Sequence, residues 1–235
     1  MNPYQKLLER KRSWTPVQPT AGKVAEGTEQ TIHRALALRH MELPVGDFIN
    51  DALANEVPKM ARELLESNVK DEEKHDLALG FIADAYGVDP KAEKEALLLR
   101  QAWIEAPDHT ITKAMVAERA IFFVLLPFLR AYGDAGMRTV SADISRDEQV
   151  HVATNSLVHR ELGLDISPSL DKLRKATINW VMQPLSGEGK LDKKFWLKSS
   201  DRLMYEGKAP ELSFTRSARM PAFFEHSNVN LPQYA

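Results

Sequence analysis

The chain has no cysteine among its 235 residues. That excludes disulfides, thiolate catalysis, cysteine-held iron–sulfur clusters and thiolate-bound zinc. An excess of one charge is also missing: 31 Lys and Arg stand against 33 Asp and Glu, a net charge of −2. No basic footprint for nucleic acid follows from that balance. Long hydrophobic runs are absent too. The longest, Ala120 to Leu129, falls far short of the ~20 residues a membrane span needs and reads as a helix buried on all sides. Met1 to Lys6 lack the apolar core of a secretory signal, so a cytoplasmic protein is expected. Nowhere does an alternating strand pattern persist, and the expected class is all-α. With 43% hydrophobic and 27% charged residues, the chain suits one soluble domain with an appendage.

What is present is a repeated motif. Asp71-Glu72-Glu73-Lys74-His75 and Asp147-Glu148-Gln149-Val150-His151 both read D-E-x-x-H and lie 76 residues apart. Glu and His at i and i+3 share one helix face, so two such pairs can point four ligand groups into one bundle core. A dinuclear carboxylate site also needs a lone Glu from each of two further helices. Glu42 precedes Glu72 by 30 residues, and Glu118 precedes Glu148 by 30. The midpoints fall at Asn55-Glu56-Val57-Pro58 and Gly133-Asp134-Ala135-Gly136, both turn-forming. A helix running about 15 residues to a turn and about 15 back returns to the same height, because the rise per residue is constant. Glu42 should face Glu72 across one hairpin and Glu118 should face Glu148 across the other.

The spacing predicts helices from Thr28 toward Asn55, from Pro58 to Gly87, from Asp89 to Pro107 as a crossover, from His109 to Tyr132 and from Gly136 to Leu162. Two more are expected over Ser167–Met182 and Leu191–Tyr205. Pro44 should kink the first helix beside Glu42, or the helix should break at Leu43. Residues 1–27 read as an arm, 28–163 as the four-helix bundle, and 164–235 as C-terminal helices and an extended tail packed on it. Glu42, Glu72, His75, Glu118, Glu148 and His151 are the candidate metal ligands. Asp147 and Asp71 are placed to accept the outer N–H of His75 and His151 respectively, across the pseudo-twofold. Leu79 and the wall containing Ile121, Phe122 and Leu125 are the candidate substrate pocket. Trp14, Trp103, Trp180 and Trp196 read as packing residues, and the other histidines belong to no such constellation.

Four ionised Glu carry −4, which two divalent metals balance, making burial tolerable. Carboxylate and imidazole suit iron or manganese. Two iron ions are the favoured cofactor, with manganese or a mixed pair as alternatives.

These residues resemble the ferritin-like di-metal carboxylate superfamily over roughly residues 28–163. Arg146-Asp147-Glu148-x-x-His151 is similar to the last ligand helix of ribonucleotide reductase small subunits and of aldehyde-deformylating oxygenases. The resemblance implies an oxidase or oxygenase that takes dioxygen, and it suggests a homodimer; the apolar wall suits a small apolar substrate, and with no redox motif of its own the chain is expected to take electrons from an external donor. It also leaves two alternatives: a small-subunit-like protein docking a large subunit through its tail, and an iron oxidation and storage protein. Radical-bearing small subunits place a Tyr four residues after the first ligand His, where this chain has Leu79. Ferritins end sooner, and the residues after Leu164 would obstruct a simple cage.

Overall fold

A computed structural model of the chain describes residues 2–55, 57–210 and 212. Most of the expected tail, with Arg216, Arg219, Phe223, Phe224 and His226, lies outside the described residues, as does Glu56. Among the described residues the regular structure is helical. It comprises α1 (Pro3–Leu8), α2 (Glu29–Ala37), a 3-10 turn (Leu38–Met41), α3 (Glu42–Ala54), a 3-10 turn (Lys59–Ala61), α4 (Arg62–Tyr86), α5 (Pro90–Glu105), α6 (Thr110–Ala117), a π-helical segment (Glu118–Phe122), α7 (Phe123–Tyr132), α8 (Ala135–Glu161), α9 (Pro168–Met182), a 3-10 turn (Gly189–Leu191) and α10 (Lys193–Glu206).

Four helical rods close a ring. α3 packs on α4 and α6, and α8 packs on α4, α6 and α7. The two longest rods, α4 and α8, carry the D-E-x-x-H motifs. The crossover helix α5 begins with Asp89, whose carboxylate accepts from Lys91 N, and with Pro90 at its first position, where the missing N–H costs nothing. Asp134 caps α8 by accepting from Met137 N. α9 and α10 pack on each other and on the π segment, while α1 lies against α4 and α8. One apolar core runs through all of these, from Tyr4 to Met204. No helix among the described residues is long and apolar enough to cross a membrane.

Two local expectations are corrected. The first helix breaks over Leu38–Met41, ahead of Glu42 rather than at Leu43 or Pro44. Pro44 then falls in the first turn of α3, where a helix has no partner for that N–H, so no kink is needed. The third rod is not continuous α-helix either. It switches to π geometry at Glu118 and resumes as α7 with Pro127 inside it. The arm, expected to be irregular, contains the short helix α1.

Candidate metal centre

The helix geometry brings the six candidate ligands to one level. Glu42 opens α3, Glu72 and His75 sit mid-α4, Glu118 opens the π segment, and Glu148 and His151 sit mid-α8. All six are fully buried. Donor atoms of Glu72, His75, Glu148 and His151 lie within 4.8 Å of one another, and the two imidazole rings are 5.5 Å apart.

The cluster has two ends. At one, His75 Nδ1 lies 3.7 Å from Glu42 Oε2. At the other, His151 Nδ1 lies 3.7 Å from Glu118 Oε1. Glu72 reaches both histidines, at 3.7 Å and 2.8 Å, and so does Glu148, at 3.4 Å and 3.9 Å. Glu72 and Glu148 therefore lie between the two ends.

The outer ring nitrogens face aspartates on the opposite motif. His75 Nε2 is 3.2 Å from Asp147 Oδ2, and His151 Nε2 is 3.1 Å from Asp71 Oδ2. An Nε2–H donated to each aspartate leaves each Nδ1 a free lone pair aimed at the glutamates. The aspartates are themselves tied down. Lys74 Nζ reaches Asp71 at 2.8 Å and Asp147 at 2.9 Å. Lys11 Nζ reaches Asp71 at 2.5 Å, and Trp14 Nε1 donates to Asp147 Oδ2 at 2.7 Å. Burial opposes ionisation of both aspartates, but these partners and the histidines hold both carboxyls below their usual range.

Inside the cluster the balance differs. Burial pushes Glu42, Glu118 and Glu148 upward, reinforced by neighbouring carboxylates. Burial also acts to raise Glu72, but His151 beside it wins and holds that carboxyl at about 2. Burial lowers the affinity of both imidazoles for protons, yet the surrounding carboxylates raise His75 well above its ordinary value and bring His151 to about 10. Nine donor atoms have no hydrogen-bond partner: both oxygens of Glu42, Glu72 and Glu148, Oε1 of Glu118, and Nδ1 of both histidines. The 2.8 Å approach of Glu72 to His151 lacks hydrogen-bond geometry. So many orphaned acceptors at one buried point need a partner from outside the chain, and two divalent cations fit the donor set in charge and in kind.

The π segment is braced from outside the ring. An i→i+5 turn displaces carbonyls from their usual partners. Here Ala120 O accepts from Ser200 Oγ on α10 at 2.6 Å. Ser200 in turn accepts from Arg174 Nη1 on α9 at 2.6 Å. Arg174 is buried and paired with Asp171 and Asp201. Within the ring, Asn155 Nδ2 donates to Glu118 Oε2 at 2.7 Å. None of Asn155, Ser200 or Arg174 stood out in the sequence. Asn155 lies seven residues after Glu148 on the same helix face, a signal that was available; the contacts of α9 and α10 left none.

Trp14 departs from its expected packing role. Trp103, Trp180 and Trp196 donate to Thr177, Glu95 and Lys190 O respectively, away from the centre. Trp14 instead bonds Asp147 and stacks 6.2 Å from the His75 ring, with Lys74 Nζ 4.7 Å above it. Leu79, Ile121, Phe122 and Leu125 are packed in the apolar core, and a cavity of mainly apolar lining between the arm and α8 is formed by other side chains.

Neither a family model nor a curated protein matches the chain. Among solved structures, it is similar to one from Bacillus halodurans provisionally described as a class I ribonucleotide reductase. The TM-score is 0.60 at 13% identity, over 86% of this chain and 88% of that one. Identity that low carries the fold alone, and the fold is an all-helical, ferritin-like bundle resembling that structure. A buried Glu/His cluster able to hold a metal pair lies within it.

Proposed function

We propose that the chain is a dioxygen-dependent di-metal carboxylate oxidoreductase, an oxidase or oxygenase acting on a small apolar substrate with electrons from an external donor. The observation that carries this reading is the set of nine unpartnered donor atoms on six fully buried residues. Glu42 and His75 would hold one metal and Glu118 and His151 the other, with Glu72 and Glu148 shared. Two iron ions suit these donors, as does manganese or a mixed pair. Such a pair, when bound, supplies two-electron chemistry with dioxygen.

The chain's own part is positional. Asp147 and Asp71 keep each imidazole in one tautomer and one orientation. Complete burial excludes bulk water, which strengthens every electrostatic contact at the centre. Leu79, Ile121, Phe122 and Leu125 supply the apolar wall. Metal analysis after anaerobic loading with iron(II) should find two equivalents per chain, and loaded protein should consume dioxygen. No bound metal would remove the proposal; binding without oxygen uptake would reduce it to a metal-binding bundle.

A second reading, a ribonucleotide reductase small-subunit-like protein, draws support from the fold and from the run Trp14–Asp147–His75. That hydrogen-bonded run leads from the arm to a candidate ligand, and an indole is a side chain that can pass an electron. The electron-spin signal after aerobic loading separates the two. A long-lived radical, together with binding to a catalytic large subunit, would favour the second.

A further inference from the structure

The arm crosses α8 as a strap. Trp14 is fastened to Asp147, and Gly22 N donates to Asp134 Oδ2 at 2.9 Å. Those two aspartates are thirteen residues apart on α8, about 20 Å of helix. The strap's eight steps from Trp14 to Gly22 have about 26 Å of reach when extended. It contains Pro16 and Pro19, has no helix of its own, and spans the gap with slack. Beneath it the helix face is low: Gly136, Thr139, Val140 and Asp143 follow at i, i+3, i+4 and i+7, and none carries a large side chain. Pro19 touches down on Gly136, where an added Cβ would come 2.7 Å from Pro19 Cβ. Between that touchdown and Trp14 a cavity of about 600 Å³ remains, lined by these residues and by Thr15, Val17 and Gln18.

We propose that this cavity is a binding site for a small, largely apolar molecule that is neutral or cationic. Its volume is that of an ordinary ligand site. Its walls are chiefly the indole of Trp14, Val17, Pro19 and Val140, with threonine hydroxyls and the Gln18 amide offering a few polar points. Val17 is 72% exposed at the lip, an apolar side chain left for an occupant to cover. Asp143 is the charged residue of the lining. Its contact with Arg146 Nη1 is long, at 3.4 Å. A carboxylate or phosphate would meet that negative end, whereas an amine would be welcomed by it. The site stands on the metal-free chain, so it holds or fails separately from the metal reading.

Three probes share one ring and differ in charge: fluoroindole, fluorotryptamine and fluoroindole acetate. Fluorine NMR line broadening on the full-length chain should show the first two binding, and the acetate at least about tenfold more weakly. Thr139→Trp, filling the cavity, should weaken fluoroindole by at least about tenfold while the melting temperature stays close to that of the parent. Asp143→Asn should leave fluoroindole binding unchanged and abolish the preference for amine over acetate; it tests the site even if Thr139→Trp fails to fold. Absence of broadening by any probe, equal binding to folded Thr139→Trp, or an acetate that binds as tightly as the amine would overturn the proposal.

Discussion

The two halves of the bundle carry the same candidate ligands in the same order and differ in what surrounds them. In the α3/α4 half, Glu42 opens a regular helix after a 3-10 turn, and neither of its oxygens has a hydrogen-bond partner. In the other half, Glu118 opens a π segment and accepts from Asn155, and the segment's Ala120 carbonyl accepts from Ser200 of α10. The 76-residue echo places Leu79 where the second half has Asn155, and Gly46 where it has Phe122. One half is thus a bare carboxylate on ordinary helix, and the other a supported carboxylate on π-helical geometry. A shared motif makes the ligands equivalent by position; the shells around them make them unequal.

The bluntest way to break this comparison is to delete one ligand from each half. Glu118→Ala and Glu42→Ala should each reduce loading from two metals to one or none, with helicity retained. Metal analysis with circular dichroism checks this, and full occupancy in either variant would remove that residue from the ligand set. Loss of Ser200 should act on one half only. Ser200→Ala leaves the buried Ala120 carbonyl unpaired, costing about 1–3 kcal/mol in denaturant unfolding. It should also weaken the metal at the Glu118 end, an effect that Ser200→Thr partly restores.

A finer change converts one half into the other. Asn155→Leu removes the bond to Glu118 and should weaken one metal by about tenfold, as loss of an outer contact does. Titration with manganese(II), followed by its spin resonance, reads the two sites separately. Equal weakening of both would mean that the halves are not distinct.

The smallest effect concerns the brace. Burial alone would raise Asp171, but Lys175 and Arg174 outweigh it and lower the carboxyl from 3.8 to about 2. A carboxyl depressed on folding stabilises the native state above its unfolded value, and that contribution is lost as pH falls through the folded one. Unfolding free energy should therefore fall between about pH 4 and pH 2, and Asp171→Asn should flatten that fall. An unchanged slope would show that the Asp171–Arg174 pair adds nothing to stability.

Residue spacing alone determined much of this protein. Helical rise is constant, so intervals of 30 and 76 residues put Glu42, Glu72, Glu118 and Glu148 at one height once turns stood at the midpoints. The i, i+3 rule put each His on the face of its Glu, and the absence of strand alternation made the class all-α. Tertiary structure decided what local periodicity does not encode. The first helix breaks over Leu38–Met41, where Arg39 and His40 bond Glu93 on α5. In the π turn that Glu118 opens, the Ala120 carbonyl is taken up by Ser200, 80 residues further on. Trp14 meets Asp147 across 133 residues, and the space under the strap exists because the arm is fastened at two points over a row of small side chains. Each of these is a contact between distant segments, set by packing and by the need to satisfy buried polar groups.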